Sequence, residues 1–224
     1  MPEGTGIRPA ATLVLLRESA GQLETLLLRR KSKSGKGAWV FPGGVVEPQD
    51  GGDGDEELAA RMAAVRETWE EAGITVDPKS LQLISHWTTP DAPEVSKKRF
   101  STWFFLSAQP VADIEVDNEE IDAYRWVIPE QAIAEHVAGE LKMLPPTIVT
   151  LTELADCIDA AAAEAFYRRR EVPYIAPRLA TVDDKICMLY AGDAGYEATD
   201  ASVPGSRNRC WLEDRYWRYE FEEQ

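Results

Sequence analysis

One stretch of the chain decides its fold: Ala59-Ala60-Arg61-Met62-Ala63-Ala64-Val65-Arg66-Glu67-Thr68-Trp69-Glu70-Glu71-Ala72-Gly73-Ile74. The pattern predicts a helix that begins at Glu56 and ends near Ala72, because Gly73 is well placed to terminate it. Residues 49–55, a loop rich in glycine and aspartate, lead into this helix. The helical geometry therefore determines which acidic side chains lie on the same face.

The apolar and acidic side chains of this helix fall on different faces. At about 100° per residue, Glu67, Glu70 and Glu71 lie within one arc of the helix surface. Nearly opposite lies an apolar stripe, which we expect to face the core. Its members recur at intervals of three and four residues: Leu58, Met62, Val65, Trp69 and Ala72.

The three glutamates are close enough to repel one another. Glu67 precedes Glu70 by three residues and Glu71 by four, and like charges at these spacings cost roughly 0.2–0.5 kcal/mol per pair. Three carboxylates on one helix suit Mg²⁺ or Mn²⁺, which prefer oxygen ligands. A solvated acidic face explains the same spacing, so both interpretations stay open on these residues alone.

A strand followed by a double glycine lies just before the loop: Phe41-Pro42-Gly43-Gly44-Val45-Val46-Glu47-Pro48. Glycines here let the backbone turn sharply or approach a ligand closely, so that a carbonyl oxygen could join a metal site. In isolation the two glycines indicate only a turn. Beside the acidic helix, they favour the metal-site hypothesis.

Together these segments resemble the Nudix hydrolase family, whose sequence box runs Gly-x5-Glu-x7-Arg-Glu-(apolar)-x-Glu-Glu-x-Gly-(apolar). Gly44 opens the box here, and residues 66–74 match its second half, with Thr68 at a position that is usually apolar. The first half differs, because Asp50 stands where the family has glutamate and fifteen residues separate it from Arg66. The candidates for the role of the first acid are Asp50, Glu56 and Glu57.

Outside the box, the chain is similar to the Nudix subgroup that includes the peroxisomal coenzyme A diphosphatases of mammals. The similarity spans roughly residues 8–150 and includes the extra loop before the helix. It rests on Leu26-Leu27-Leu28-Arg29-Arg30, Arg61-Met62, Trp87-Thr88-Thr89-Pro90 and Arg99-Phe100-Ser101-Thr102-Trp103-Phe104-Phe105. The resemblance implies coenzyme A or an acyl-CoA as the substrate.

The family resemblance also implies the chemistry, which is cleavage of the diphosphate of a nucleoside diphosphate linked to another moiety, with Mg²⁺ or Mn²⁺ as cofactor. Arg66 lies about 100° around the helix from Glu67. It would therefore pair with a carboxylate and hold it in position. The metal ligands that the resemblance implies are Glu67, Glu70, Glu71 and the backbone carbonyl of Gly43 or Gly44.

A further acidic candidate lies in a later loop. Residues 118–126 resemble the region from which some family members recruit another carboxylate, either as a metal ligand or as a general base. Glu120 is the candidate for this role. An acidic loop before a strand is the competing interpretation.

The densest group of cations follows a strand near the start of the chain. Arg29 and Arg30 end this strand, and Lys31, Lys33 and Lys36 lie in the loop after it. A run of charges is often a solvated face. With the double glycine, the residues proposed to bind substrate are Arg29, Arg30, Lys31, Gly43 and Gly44.

The rest of the chain predicts an α/β fold in one compact domain. Pro129 suits the first turn of a short helix, and residues 146–169 predict one long helix. Strands are predicted over residues 8–18, 23–30, 38–41, 81–89, 99–108 and 121–128. The resemblance implies a Nudix-type α/β/α sandwich with a mixed β-sheet. We expect a Nudix domain over residues 8–140, with a C-terminal helix and extension over residues 141–224 packed on it.

Composition and charge disfavour several kinds of partner. The chain of 224 residues has 24 Lys and Arg against 39 Asp and Glu, a net charge of −15. This charge disfavours nucleic acids and anionic membranes as partners and does not exclude a small anionic substrate. The resemblance implies that the partner is a small-molecule nucleoside diphosphate. The three cysteines are few and far apart, which favours a reducing compartment, and we expect a cytoplasmic protein. A homodimer is a further expectation, since many Nudix enzymes are dimers.

Three functions remain open at this point. The first is a Nudix diphosphatase acting on coenzyme A or acyl-CoA, and the second applies the same chemistry to ADP-ribose, NADH or another dinucleotide. The third is a Nudix-fold nucleotide-binding module without turnover. Such a module is expected to lose acids of the box, whereas Glu67, Glu70 and Glu71 are all present. The sequence therefore favours an enzyme.

Overall fold

The computed structural model describes residues 6–31, 35–92, 98–109 and 113–223 of the chain. The helices in these ranges are α1 (Glu56–Ala72), α2 (Pro129–Val137), α3 (Pro145–Ala155) and α4 (Ala160–Arg168), with short 3₁₀ turns at Pro48–Asp50 and Pro78–Ser80. The strands there are β1 (Arg8–Ser19), β2 (Gln22–Arg30), β3 (Trp39–Val40), β4 (Gly43–Val45), β5 (Gln82–Thr88), β6 (Phe100–Ser107), β7 (Ile121–Val127), β8 (Tyr174–Ile175), β9 (Arg178–Val182), β10 (Lys185–Leu189), β11 (Arg207–Glu213) and β12 (Tyr216–Glu222). None of the described helices is long and apolar enough to cross a membrane.

The strands form one mixed sheet and one antiparallel sheet. The mixed sheet has the order β3-β2-β1-β6-β5-β8, with β4 also paired to β1 and β7 to β2. β1 runs parallel to β6 and antiparallel to β2. The second sheet, β12-β11-β10-β9, is built from the C-terminal region. The predicted α/β fold with a mixed sheet is confirmed.

The hairpin of β1 and β2 forms where the sequence predicts it. The strands join at Ala20 and Gly21, whose φ angles are 51° and 75°. Two consecutive residues with positive φ make a tight turn whose twist matches that of paired strands. The hairpin carries β2 back across the molecule, so that Arg30 ends beside β3 and β7.

Two buried cores lie on the two faces of the mixed sheet. Leu13 and Leu15 of β1 enter the core beneath α1, whereas Val14 and Leu16 enter the other core. This alternation follows from the period of two of a β-strand. Side chains of α2, α3 and α4 complete the second core. The layers are therefore helix, sheet and helices.

One predicted helix is wrong. Residues 146–169 form the two helices α3 and α4 rather than one. The break lies between Asp156 and Asp159, and the Asp159 carboxylate accepts a hydrogen bond from the Ala162 N–H at 2.7 Å. An aspartate at this position satisfies a free N–H at the start of a helix, which favours a new helix over continuation of the old one.

The C-terminal sheet packs directly on the rest of the chain. The Trp217 N–H donates a hydrogen bond to His136 Nε2 at 3.0 Å. Met188 and Cys210 belong to the same buried core as side chains of α2 and α3. The boundary drawn between residues 8–140 and 141–224 stays a prediction, and the second core extends across it.

Candidate active site

Helix α1 begins and ends where the sequence predicts. The Asp55 carboxylate accepts a hydrogen bond from the Leu58 N–H at 3.0 Å. Gly73 has a φ of 68°, and its N–H donates to the Trp69 carbonyl at 2.8 Å. Both features are typical helix caps, so the ends of the acidic helix are well defined.

The apolar stripe predicted to face the core points away from it. Leu58, Met62 and Trp69 are 45%, 38% and 60% exposed, and Ala72 is the one member of the stripe that is buried. The face that contacts the sheet is made of small side chains and one acid: Ala60, Ala63, Ala64, Thr68, Glu71 and Ala72. Small side chains let the helix approach the sheet closely, whereas the pattern argument assumes that large apolar residues lie inside. The acidic arc is therefore turned towards the sheet.

Glu71 is buried against the double glycine. Glu71 is only 5% exposed, and its Oε2 accepts a hydrogen bond from the Gly43 N–H at 2.9 Å. Burial raises the pKa of Glu71 to about 8, although the Gly43 bond and the charge of Arg30 oppose the rise. The carboxylates of Glu67 and Glu120 add to it. Glu71 therefore lies among other carboxylates, and we call the group of Glu67, Glu71 and Glu120 beside the double glycine the acidic pocket.

The two glycines of the double glycine, Gly43 and Gly44, have no room for side chains. A Cβ at Gly43, whose φ is 152°, would overlap the backbone of β1 at Ala11 and Thr12. A Cβ at Gly44 would overlap the carboxylate of Glu67. Glycine thus permits the close approach of backbone and acid, and any larger residue at Gly44 has to displace Glu67.

Arg66 is the centre of a network of carboxylates. Its Nε and Nη2 donate to the two Asp50 oxygens at 2.8 and 3.0 Å. Its Nη1 donates to Glu67 Oε1 and Glu70 Oε2, each at 2.9 Å. Nη2 also donates to the Val45 carbonyl at 2.9 Å. The expected pairing of Arg66 with a carboxylate is present, and it includes three carboxylates at once.

Asp50 is the acid that the sequence left undecided. Burial would raise its pKa, but hydrogen bonds from Arg66 and from the Glu47 N–H outweigh burial and lower it. Glu57 pairs with Arg61 instead, at 2.7 Å. The count of six residues from the first glycine of the box was the sequence signal for Asp50, and the geometry now favours it over Glu56 and Glu57.

Arg30 lies close to the acidic pocket, which includes Glu120, and Lys31 is hydrogen-bonded to the loop that carries Glu120. The charge of Arg30 lowers the pKa of Glu71, and the charge of Glu120 raises it. The Lys31 N–H donates to the Glu120 carbonyl at 2.7 Å, and Lys31 Nζ donates to the Asn118 carbonyl at 2.7 Å. The structure therefore brings Arg30 and Glu120 towards the glutamates of α1, whereas the charge of Lys31 acts on Asp122.

Arg29 is not brought to the glutamates. It pairs with Asp122 at 2.7 Å, and its guanidinium lies 5.8 Å from the centre of the Trp39 ring. Trp39 belongs to the core on the other face of the sheet. Successive side chains of a strand point to opposite faces, so Arg29 and Arg30 diverge. Lys33, which the sequence placed in the same cationic group, lies outside the described residues.

The acidic pocket fits a divalent cation in its chemistry. In the part of the chain that the structure describes, no three acidic, histidine or cysteine side chains converge into a ready metal site. Arg66 occupies the space between Glu67 and Glu70, and the Gly43 N–H engages Glu71. Burial first, and neighbouring carboxylates in addition, raise the pKa of both Glu67 and Glu71. A cation that binds oxygen ligands would remove this repulsion.

The fold and this site define a class of enzyme, the hydrolases that cleave phosphoanhydride bonds. A family model described as the NUDIX domain matches residues 6–146, and the chain belongs to the Nudix family. It is 26% identical to the Caenorhabditis elegans protein named "Putative nudix hydrolase 7", over 84% of this chain and 74% of that protein. It is 28% identical to the phosphatase NudJ of Escherichia coli, over 56% of this chain and 72% of the phosphatase.

A solved structure supports the same assignment. The crystal structure of a NUDIX hydrolase from Alicyclobacillus acidocaldarius matches with a TM-score of 0.65 and 26% identity. The match covers 72% of this chain and 96% of that one. Nudix hydrolases generally use divalent cations and act on small nucleotide-derived substrates. The chain is accordingly a Nudix hydrolase.

Proposed function

We propose that this Nudix hydrolase cleaves the diphosphate of coenzyme A or an acyl-CoA with the help of Mg²⁺ or Mn²⁺. The observation that carries the chemistry is the placement of Glu67 and Glu71 against Gly43 and Gly44, with Arg66 tying Glu67 to two further acids. A bound divalent cation neutralises charge on the diphosphate and activates the attacking water.

The residues of the chain have separate tasks in this proposal. Glu67, Glu70 and Glu71, with a carbonyl of the double glycine, hold the cation. Arg66 fixes the carboxylates in the orientation that the cation needs. Glu120, whose charge acts on Glu67 and Glu71, takes a proton from water or serves as a further ligand.

The choice of coenzyme A rests on the subgroup resemblance and on charge. Coenzyme A carries a 3′-phosphate in addition to its diphosphate, and a chain at −15 needs local cations to hold such an anion. Arg30, whose charge acts on Glu71, is placed to supply one, whereas the charge of Lys31 acts on Asp122. Arg29 is a weaker candidate for this role in the proposal, because its guanidinium pairs with Asp122.

A substrate panel tests the proposal directly. Coenzyme A, dephospho-coenzyme A, ADP-ribose and NADH are incubated with the enzyme, and products are separated by chromatography. Hydrolysis of coenzyme A is expected with Mg²⁺ or Mn²⁺ and not with EDTA. Faster cleavage of ADP-ribose or NADH would assign the dinucleotide alternative, and binding without any cleavage would assign the non-catalytic module.

Substitution of one glutamate tests the site itself. Glu70→Gln is expected to lower kcat by at least 100-fold while the unfolding midpoint in urea stays close to wild type, because Glu70 is the most exposed of the three acids. Glu171→Gln, which removes an equal charge from an exposed position, is the matched control. Activity of a folded Glu70→Gln variant close to that of the control would contradict the metal-site assignment.

A further inference from the structure

The loop that precedes β7 is bound to the C-terminal end of α1. We call residues 115–121 the carboxylate loop. The Glu115 N–H donates a hydrogen bond to the Ala72 carbonyl at 3.0 Å, and the Asp117 N–H donates to the Glu71 carbonyl at 3.4 Å. The last carbonyls of a helix have no partner within the helix, so the loop supplies donors that they lack. The carboxylate loop is therefore attached to the last turn of α1.

The Asp117 carboxylate binds backbone N–H groups of the carboxylate loop itself. Its Oδ1 accepts hydrogen bonds from the N–H groups of Glu119, Glu120 and Ile121 at 3.0, 3.2 and 2.9 Å. The Glu120 N–H also lies 3.2 Å from Oδ2. Aspartate side chains commonly bond to the backbone N–H groups that follow them in a turn. This carboxylate thereby fixes the backbone on both sides of Glu120.

Asp117 itself is a poor candidate for a metal ligand. Hydrogen bonds from N–H groups to an ionised carboxylate are stronger than those between neutral groups, and a cation would have to break them before it could bind. Asp117 is also half-buried, whereas Glu119 and Glu120 are exposed. The contacts of the Asp117 carboxylate are therefore directed at its own loop.

Lys31 holds the carboxylate loop from the end of β2. Its N–H donates to the Glu120 carbonyl at 2.7 Å, and its Nζ donates to the Asn118 carbonyl at 2.7 Å. Asn118 has a φ of 60°, a left-handed conformation that asparagine adopts more readily than most residues. Its side-chain nitrogen donates to the Val116 carbonyl at 3.0 Å. The loop is thus bound to α1, to the residue after β2 and to itself.

The carboxylate loop places Glu120 beside two acids that repel it. The charge of Glu120 raises the pKa of both Glu67 and Glu71, so the approach of the three carboxylates costs free energy in the absence of a cation. A loop without other contacts would relieve this repulsion by moving away from α1. The hydrogen bonds of Asp117 and Lys31 oppose that movement.

We propose that Asp117 is a positioning residue, which holds the Glu120 carboxylate beside the glutamates of α1 when the divalent cation and the substrate bind. This inference rests on the proposed function, in which Glu120 takes a proton from water or serves as a further ligand. Asp117 acts through Glu120 alone. Lys31 assists it at the Asn118 carbonyl, so its side chain has a task other than contact with a phosphate.

A double-mutant cycle tests whether Asp117 acts through Glu120. With coenzyme A, or the fastest substrate of the panel, Asp117→Ala is expected to lower kcat about tenfold and to leave KM nearly unchanged. In the Glu120→Gln background the same substitution is expected to change kcat by less than about twofold, because residues that act as a unit have non-additive effects. Asp117→Asn keeps one acceptor oxygen and is expected to restore most of the lost kcat.

Binding of Mn²⁺ without substrate provides a measurement that does not depend on turnover. Calorimetry is expected to show that Asp117→Ala and Glu120→Gln change the Kd for Mn²⁺ to the same extent. Glu119→Gln removes an exposed charge from the neighbouring position and is the matched control, with kcat and Kd close to wild type. Urea denaturation of every variant separates these effects from a loss of folding.

Lys31→Met provides a second cycle should Asp117→Ala fail to fold. It releases the Asn118 carbonyl, and we expect a loss of kcat that disappears in the Glu120→Gln background. A rise in KM of equal size in both backgrounds would instead assign the Lys31 side chain to substrate binding and overturn its place in the inference.

The remaining outcomes overturn the inference in distinguishable ways. An equal loss of kcat from Asp117→Ala in both backgrounds means that Asp117 does not act through Glu120. A Glu120→Gln variant as active as wild type removes Glu120 from the site and leaves the glutamates of α1 in place. A Kd for Mn²⁺ that only one of the two substitutions changes separates the two residues. Failure of the wild type to hydrolyse any substrate of the panel overturns the proposed function, and the Mn²⁺ titrations then decide the inference by themselves.

Discussion

Two arginine–aspartate pairs in this protein join residues that are equally far apart in sequence, but the two pairs lie in different surroundings. Arg66 follows Asp50 by sixteen residues, and Arg209 follows Asp193 by sixteen. Each arginine donates two hydrogen bonds to its aspartate, at 2.8 and 3.0 Å in the first pair and at 2.7 and 2.6 Å in the second. The side chain of Arg66 is 17% exposed and that of Arg209 is 2% exposed.

The difference lies in what else each arginine contacts. Arg66 also donates to Glu67 and Glu70, so its guanidinium orients acids at a solvent-accessible pocket. Arg209 donates its remaining hydrogen bond to the Ala201 carbonyl, inside the C-terminal sheet and its connecting turns. We infer that the same pairing positions functional groups in one region and holds the fold in the other.

The largest expected effect is on stability at the buried pair. Asp193→Ala leaves the Arg209 charge buried without a partner, which costs about 3–5 kcal/mol. Urea denaturation measures the loss. Asp193→Ala combined with Arg209→Met is expected to recover part of it, because neither charge then remains. Asp200→Ala, in the same turn but exposed, is the control, and an equal loss there would contradict the assignment.

The second expected effect is on activity, at the Asp50–Arg66 pair beside the acidic pocket. Asp50→Asn weakens the hold on Arg66 and through it on Glu67 and Glu70. Loss of such an orienting contact lowers metal affinity or activity about 10–100-fold. We expect the concentration of Mg²⁺ for half-maximal hydrolysis to rise by this factor, with a smaller loss of stability than in Asp193→Ala. Asp53→Asn, at the tip of the same loop, is the matched control.

Much of this site could be predicted because its signals are local. Three glutamates at fixed helical spacing, a glycine that ends the helix and a double glycine after a strand are all read from neighbouring residues. Local signals also located six of the eight described strands of the mixed sheet and missed the short strands β4 and β8. The family resemblance supplied their arrangement, which no local pattern contains.

The break between α3 and α4 follows from a local cap at Asp159, whereas two other shortfalls arose where contacts between distant residues decide the outcome. The apolar stripe of α1 has the pattern of a core-facing helix, but close packing of Ala60, Ala63 and Ala64 on the sheet turns it outward. The acid that pairs with Arg66 depends on how the loop folds back, which spacing alone does not give. The Asp193–Arg209 pair gave no sequence signal, because one pair among 39 acids and 24 bases is not distinctive.

The smallest expected effect is on stability, when residues are inserted into the segment between Asp50 and Arg66 or the segment between Asp193 and Arg209. Loop-closure entropy changes slowly with length, so two added residues cost roughly 0.1 kcal/mol where a loop makes few contacts. A Gly-Ser insertion after Gly51 falls at such a place, because it lies between the hydrogen-bonded turns of residues 48–51 and 52–55 and a Cβ at Gly51 would have nothing within 4 Å. We expect the unfolding midpoint in urea and the hydrolysis rate to stay close to wild type.

The same insertion after Ala198 is expected to cost more, because the second segment is a hydrogen-bonded turn. The Asp200 N–H donates to the Gly195 carbonyl at 3.1 Å, and the Gly195 N–H donates to Asp193 at 2.8 Å. Two extra residues inside this turn are expected to break the first bond and to shift Ala201 away from Arg209. The free energy of unfolding should fall by about 1–2 kcal/mol, the typical contribution of one or two hydrogen bonds. Urea denaturation compares the two insertions. If they cost the same, the second pair does not depend on the structure of the segment it closes, and burial alone distinguishes it from the pair at the active site.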